Sequence, residues 1–199
     1  ENMSLQAHTK ALVREFNSMP PEDMEGSRST SSRYFRKSRK NVWITPPLTA
    51  AVGKYVSIGD GTYSNMNLTL IDDWKITIGK NVLIGPNVTL CTTGHPIDPE
   101  HRGDGMYSFP ITIGDNVWLG ANVVVLPDVT IGENSVIGAG SIVTKDIPAN
   151  CIAFGSPCKV YREINEHDKE YYFKKPSFLM SSRNDEKHLA GYYQRTVIT

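Results

Sequence analysis

Apolar residues recur at every sixth position between Ile111 and Asp146. Cut into hexads, this stretch reads ITIGDN, VWLGAN, VVVLPD, VTIGEN, SVIGAG and SIVTKD, with an aliphatic third residue in each hexad and mostly a small fourth one. A six-residue period fits neither the helical stripe nor the plain alternation of a half-buried strand. It indicates a coil of three short strands per turn, in which the third residues stack inward and the small fourth residue lets the backbone turn. We therefore predict a hexapeptide-repeat parallel β-helix.

The same phase continues towards the N-terminus with two interruptions. Val52 and Ile58 stand six residues apart, but two extra residues around Asp72 and Asp73 then shift the phase. Between Leu90 and Ile113 the spacing is 23 residues, so an inserted segment must leave the coil there. We place this excursion at residues 97–110. Long excursions from a regular scaffold usually carry function.

Three segments follow from this pattern: an N-terminal helical segment over 1–40, a β-helix domain over 41–162, and a C-terminal arm and tail over 163–199. Leu5, Leu12, Val13 and Phe16 can share one face of a first helix. A second, basic helix is expected before residue 40. It is either a solvated face or a patch for a phosphorylated ligand. Residues 163–174 predict a short helix or arm, and the polar tail after them is expected to be partly disordered.

Composition narrows the classes of function. Lysine plus arginine and aspartate plus glutamate number 21 each, which argues against nucleic acid or an acidic membrane surface as a partner. No apolar run approaches the roughly 20 residues that cross a bilayer. The chain opens on Glu1 without a signal-like segment. Its three cysteines form no CxxC pair, which favours a reducing cytoplasm.

His95 is the best candidate for chemistry because it lies at the base of the excursion, where a histidine can act as a base near neutral pH. A catalytic zinc site would need His101 and a third histidine as well. The remaining histidines, His8, His167 and His188, belong to the terminal segments. We therefore predict no metal.

Two further groups of polar residues leave alternatives open. Asn65, Asp72 and Asp73 are either turn residues or contacts to sugar hydroxyls. Apolar side chains that could lie beside them are Tyr63, Met106, Tyr107 and Trp118. Thr144, Lys145, Lys159 and Arg162 are either solvated or placed to bind the phosphates of a coenzyme.

Several motifs together resemble one family. NLTLIDDW, IGPNVTLCTTGHPIDP, MYSFPITIG and GSIVTKDIP are similar to the maltose and galactoside O-acetyltransferases, over roughly residues 10–174 and closest to the thiogalactoside-acetylating branch. The resemblance implies a left-handed β-helix that transfers an acetyl group from acetyl-CoA to a sugar hydroxyl, typically the 6-OH of a galactoside.

The resemblance also assigns roles to residues. His95 matches the general base of a direct transfer, and the backbone N–H of Ala121 matches the oxyanion donor. Asn65, Asp73, Tyr63 and Met106 match acceptor-binding positions, although Asn65 could instead orient His95. The positions that match coenzyme A contacts are Ala121, Ala139, Thr144, Lys145, Lys159, Arg162 and Trp118.

Three departures put galactoside preference in doubt. Ala51 stands where the galactoside branch has a sugar-contacting serine, and a lost polar contact weakens discrimination by about 1–3 kcal/mol. The family's N-terminal helix carries an acidic sugar contact, and we expect this chain to begin after it. Lys159 replaces an arginine, which keeps the charge but loses the bidentate fork.

The resemblance implies a homotrimer with active sites between neighbouring subunits and the excursion reaching across the interface. Two alternatives remain at this point. One is an acetyltransferase for an amino sugar or an antibiotic on the same scaffold. The other is a non-catalytic binding protein that has kept the coil.

Overall fold

The computed structural model describes residues 2–20, 37–38, 41–172 and 175–176. The chain divides into two compact units, residues 1–163 and 164–199, which are described separately below. The predicted second helix lies mostly outside the described residues, and the two described positions in that stretch, Lys37 and Ser38, form a strand. The predicted disorder of the polar tail also lies outside them.

The first unit contains one described helix and a series of short strands. The helix is α1 (Asn2–Asn17). The strands are β1 (Lys37–Ser38), β2 (Trp43–Ile44), β3 (Leu48–Ala50), β4 (Val56–Ile58), β5 (Tyr63–Ser64), β6 (Leu68–Ile71), β7 (Ile76–Ile78), β8 (Leu83–Ile84), β9 (Thr89–Cys91), β10 (Thr93–Gly94), β11 (Tyr107–Ser108), β12 (Ile111–Ile113), β13 (Trp118–Leu119), β14 (Val124–Val125), β15 (Thr130–Ile131), β16 (Val136–Ile137), β17 (Ile142–Val143), β18 (Cys151–Gly155) and β19 (Cys158–Glu163).

All of these strands except β10 and β11 form three sheets, which the chain visits in turn. Sheet A contains β1, β4, β7, β12 and β15; sheet B contains β2, β5, β8, β13, β16, β18 and β19; sheet C contains β3, β6, β9, β14 and β17. Each coil passes through sheets B, C and A in that order, and successive coils pair in parallel. The predicted left-handed parallel β-helix is confirmed.

The core consists of the inward residues of the three sheets, stacked from coil to coil. In sheet A, Ile58, Ile78, Ile113 and Ile131 occupy equivalent register positions and each is at most 2% exposed. All six predicted third-position residues are fully or almost fully buried: Ile113, Leu119, Val125, Ile131, Ile137 and Val143. Burial of these aliphatic columns is the main favourable contribution to the fold.

Two hexad positions at the corners have different conformational requirements. A Cβ added to Gly114 would lie 2.5 Å from the backbone nitrogen of Glu133 in the next coil, and one on Gly120 would lie 2.6 Å from that of Ala139. These glycines therefore allow close approach between coils. Among the described residues the left-handed backbone falls instead on the sixth position of the hexad, for example on Asn116 (φ 57°). The small fourth residue does prevent a clash, but the asparagine makes the turn.

Most corner asparagines also bond to one another. Asn81 donates to Asn116 over 3.3 Å, Asn116 to Asn134 over 3.0 Å and Asn134 to Asn150 over 2.8 Å. Asparagine adopts the left-handed region more readily than other non-glycine residues, and its amide both donates and accepts. One residue type thus satisfies the backbone and links successive coils.

Every departure from six-residue spacing falls at the corner from sheet C to sheet A. Inward residues at the other two corners are six apart in every coil, as in Ile58–Ser64 and Ser64–Leu70. At the C-to-A corner the spacing is eight from Ala50 to Ile58, eight from Leu70 to Ile78 and 23 from Leu90 to Ile113. The prediction located the shift only at Asp72 and Asp73. It missed the first coil because Val52, although buried, is an extra corner residue and not a strand residue.

Helix α1 covers the first coil. Phe16 is fully buried and joins the core, with Leu12 and Val13 partly buried beside it, as predicted. The Asn17 side chain donates to the carbonyl of Leu48 and accepts from its N–H, both over 2.8 Å. Thr9 donates to the carbonyl of Val52 over 2.6 Å. The outer edge of β3 is therefore hydrogen-bonded to side chains of the helix.

The second unit contains the predicted short helix, α2 (Glu166–Glu170), and the antiparallel strands β20 (Tyr171–Tyr172) and β21 (Lys175–Pro176). Asn165 accepts from the backbone of His167, and Asp168 accepts from the backbone of Asn165, which together form a capping box. None of the described helices is long and apolar enough to cross a membrane.

Candidate functional site

The excursion begins at Thr92, earlier than the predicted residue 97, and is closed at its base. The buried Thr92 hydroxyl donates to the carbonyl of Ile71 over 2.8 Å and accepts from the N–H of Trp74 over 3.2 Å. The N–H of Phe109 donates to the Thr92 carbonyl over 2.9 Å, which brings the chain back to the coil. Strands β10 and β11 pair antiparallel between these points. This base fixes the position of the residues that follow β10.

His95 is exposed directly after β10, and its Nδ1 lies 3.0 Å from the carbonyl oxygen of Gly105. A carbonyl oxygen can only accept, so this contact is a hydrogen bond when Nδ1 carries the proton. In the neutral imidazole the lone pair then lies on Nε2. In that tautomer, Nε2 of the exposed His95 is the ring nitrogen that can accept a proton.

The rest of the excursion is held by its own side chains. Nδ1 of His101 lies 2.9 Å from a carboxylate oxygen of Asp104, and Arg102 donates to the carbonyl of Ile97 over 2.6 Å. His101 therefore pairs within the loop. Among the described residues no three His, Cys, Asp or Glu side chains are grouped as metal ligands. That no metal is required stays a prediction.

The two neighbouring carboxyl groups at the C-to-A corner have different environments. Asp72 is fully buried, and one of its oxygens accepts from the N–H of Ala51 over 3.0 Å and of Val52 over 2.9 Å. The other oxygen has no hydrogen-bond partner among the described residues. Burial raises the pKa of the Asp72 carboxyl, against the opposing effect of these backbone hydrogen bonds. Asp72 is therefore a corner residue that ties the second coil to the first.

Asp73 is half-buried and faces the base of the excursion. One carboxylate oxygen accepts from the hydroxyl of Thr93 over 2.9 Å, and that hydroxyl lies 3.0 Å from the hydroxyl of Ser108. Asp73 thus lies one coil below the chain that leads to His95, with Thr93 between them. Met106, on the same excursion, is largely exposed.

Asn65 occupies another corner, between sheets B and C, where its side-chain oxygen accepts from the N–H of Met66 over 2.8 Å. Tyr63 and Trp118 belong to one outward row of sheet B, with Leu83 between them in register. All three side chains are substantially exposed. Asn65 and Tyr63 thus lie at or beside the B-to-C corner, whereas His95 lies at the C-to-A corner. Sheet C therefore separates them within one chain.

The residues predicted to bind the coenzyme also divide. Ala121 and Ala139 occupy equivalent positions at the B-to-C corner, where the N–H of Gly140 donates to the Ala121 carbonyl over 2.8 Å. No backbone hydrogen bond of the described coils uses the N–H of Ala121. Thr144 and Lys145 are exposed at the C-to-A corner. Lys159 and Arg162 lie on β19, the last strand of sheet B.

The predicted site residues of one chain therefore fall into two half-sites, one at each of the two corners that flank sheet C. The first contains His95, Asp73, Met106, Thr144 and Lys145. The second contains Tyr63, Asn65, Trp118, Ala121 and Ala139.

Sequence reasoning missed two residues that shape the site. Gly105 accepts from His95 through its backbone carbonyl, and a backbone contact leaves no signal in the residue type. Thr93 links Asp73 to the excursion, and its position two residues before His95 in a TTGH run was the available signal.

Comparison with known proteins gives consistent matches. Residues 110–145 match the family model described as bacterial transferase hexapeptide (six repeats). The chain is 56% identical to the galactoside O-acetyltransferase of Escherichia coli K12 over 166 residues, which cover 83% of this chain and 82% of that protein. A solved galactoside acetyltransferase in complex with coenzyme A superposes with a TM-score of 0.84 at 53% identity, covering 87% of each chain. A Clostridium difficile maltose O-acetyltransferase gives a TM-score of 0.81 at 38% identity, covering 83% of this chain and 89% of that one.

The raised pKa of Asp72 predicts the pH dependence of stability. A carboxyl whose folded-state pKa lies above its unfolded value stabilises the protein only while it is protonated, so this contribution is lost as pH rises from about 3.8 through the folded-state pKa. Asp72→Asn keeps the acceptor for Ala51 and Val52 but does not titrate. The stability of wild type relative to Asp72→Asn should therefore fall over this window and then level off. Denaturant unfolding of both proteins across pH measures it, and a relative stability that rises with pH would contradict the prediction.

Proposed function

Because this chain belongs to the galactoside and maltose O-acetyltransferases of the hexapeptide-repeat superfamily, we propose that it transfers the acetyl group of acetyl-CoA to a hydroxyl of a galactoside or related sugar, with the 6-OH as the expected acceptor. The observation that carries the proposal is the contact between His95 Nδ1 and the Gly105 carbonyl, because it leaves Nε2 as a base at the mouth of the excursion.

In the proposed reaction, acetyl-CoA supplies the thioester and His95 activates the acceptor. Nε2 of His95 takes the proton of the sugar hydroxyl as the oxygen bonds to the acetyl carbon, and the carbon–sulfur bond breaks. The proton passes from His95 to the departing thiolate, which leaves His95 neutral for the next cycle. The transfer is direct, so no nucleophilic side chain is required. Two of the three cysteines fit this scheme, since Cys151 and Cys158 are buried and burial raises the pKa of the Cys158 thiol.

The charge that develops on the carbonyl oxygen needs a fixed donor. The N–H of Ala121 is proposed for this role, because the described coils do not use it and it lies on a rigid corner beside small residues. Asp73, Asn65, Tyr63 and Met106 are proposed to bind the sugar. Lys145, Lys159 and Arg162 are proposed to bind the phosphates of coenzyme A, together with contacts from Ala139, Thr144 and Trp118.

The division into two half-sites supports the proposal of a homotrimer. In a cyclic assembly, the C-to-A corner that carries His95 can face the B-to-C corner that carries Ala121 in the next chain. Each site would then take its base from one subunit and its oxyanion donor from the neighbour. Such an enzyme works on small molecules in the cytoplasm, without nucleic acid or membrane as a partner.

A panel of acceptors tests the proposal against an amine acetyltransferase. Purified protein with acetyl-CoA should acetylate galactosides or related glycosides with a higher kcat/KM than amino sugars or aminoglycoside antibiotics, as measured by thiol release and product mass. A hydroxyl acceptor is deprotonated by the histidine in the transition state, whereas a neutral amine attacks without that help. Preference for amines would assign the scaffold to the alternative reaction.

His95→Ala should lower kcat by about 10²–10⁴-fold, because it removes the general base. The affinity for coenzyme A, measured by calorimetry, should remain that of wild type. His8→Ala, on the exposed face of α1, is the matched control and should retain full activity. Wild-type turnover in His95→Ala would exclude the proposed mechanism and favour a binding protein with incidental activity.

The double variant Lys159→Ala, Arg162→Ala should raise the KM for acetyl-CoA about tenfold or more, since two charge-assisted contacts to phosphate are lost. The KM for the sugar should change little. Steady-state kinetics with each substrate varied in turn separates the two effects. A larger change in the sugar KM would move these residues from the coenzyme to the acceptor.

A further inference from the structure

Three successive coils are enlarged at one corner, and the excursion accounts for only one of them. In the first two, the connections between sheets C and A are residues 51–55 and 72–75, and each places two extra residues between inward positions, whereas later coils pass this corner without extra residues. These additions bring Tyr55 and Trp74 together, with ring centroids 5.6 Å apart and planes inclined by 41°. The sequence pattern predicted no role for this pair.

The aromatic pair is directly connected to the proposed acceptor site. Trp74 follows Asp73, and its N–H donates to the hydroxyl of Thr92 over 3.2 Å. Asp73 itself accepts from Thr93, two residues before His95. Adjacent coils are about 4.8 Å apart. Trp74 therefore lies one coil from the strand that leads to the base, on the same corner.

Trp74 is poorly explained by packing. Its side chain is 42% exposed and it does not belong to the buried core. The amine of Lys75 lies 5.6 Å from the centre of its ring, and that of Lys54 lies 5.6 Å from the centre of Tyr55. Exposed cation–π contacts are weak, so a ligand ring can displace these flexible side chains. Among the described residues neither lysine forms an ion pair.

We propose that Tyr55 and Trp74 form a second sugar subsite, which binds the pyranose ring attached to the residue that is acetylated. This inference rests on the proposed function. Pyranose rings present C–H groups on one face, which stack on indole, and hydroxyls around the edge, which accept from ammonium groups. Lys54 and Lys75 supply such groups at the rim, and Asp73 supplies an acceptor at the junction with the first ring. The acceptor is accordingly a disaccharide or longer glycan.

The test compares three acceptors that share one reacting sugar: its methyl glycoside, a disaccharide and an aryl glycoside. Trp74→Ala should raise the KM for the disaccharide about tenfold and leave that for the methyl glycoside unchanged, with the same kcat and acetyl-CoA KM. Trp74→Phe should restore part of the loss, because it keeps a stacking ring. Tyr171→Ala, an exposed aromatic residue of the second unit, is the control and should resemble wild type.

The unchanged turnover of the methyl glycoside shows that the variant is folded. Equal KM changes for all three acceptors, or none, would overturn the subsite. A rise in KM confined to the aryl glycoside would show that Tyr55 and Trp74 bind an aromatic aglycone and not a second sugar ring. Quenching of tryptophan fluorescence by the disaccharide, present in wild type and absent in Trp74→Phe, tests binding without turnover. If that quenching occurs while no sugar is acetylated, the subsite stands and the proposed reaction fails.

Discussion

The close approach of successive coils is the constraint on which the rest of the structure depends. Parallel strands in hydrogen-bonded register lie about 4.8 Å apart, and this spacing must hold at the corners as well as along the sheets. At Gly114 and Gly120, both at the fourth hexad position, it leaves no room for a Cβ. At the sixth it requires a left-handed residue, for which asparagine serves and also bonds to the coil above. The residue preferences within the hexad therefore follow from the distance between successive coils.

This constraint also explains where chemistry can occur. Two of the three corners keep six-residue spacing in every described coil, so no inserted segment leaves the coil there. The third corner tolerates extra residues, because the chain can bulge outward between strands that remain in register. Asp73, Trp74 and His95 all stand on that corner. The same repeat therefore has two regular corners and one corner that accepts insertions. The N–H of Ala121 lies on one of the regular corners.

The sequence predicted the coil and its core well because each inward position has a single demand, an aliphatic side chain of suitable size. His95 was selected as a candidate because an interrupted period marks an insertion, and its role stays a proposal. The spacing of eight residues from Ala50 to Ile58 in the first coil was not predicted. Val52 is apolar and lies six residues before Ile58, as a regular inward residue would. The hydrogen-bond partner of His95 could not be predicted either. It is the backbone carbonyl of Gly105, ten residues further along the loop, and a backbone contact is not encoded in the residue type. The asparagines at the sixth position were visible in the hexads, and left-handed propensity would have identified them as the turning residues.

The side chain of Asn17 has a consequence for assembly. A parallel β-helix with a bare terminal coil could add another chain end to end, in the manner of a growing fibre, because its last strands expose unpaired backbone groups. Asn17 already occupies the N–H and carbonyl of Leu48 at the first coil. At the other end β19 reverses direction and pairs antiparallel with β18, so a further parallel coil meets the wrong hydrogen-bond pattern. Addition of a further chain along the axis is therefore opposed in sheet C at the first coil and in sheet B at the last.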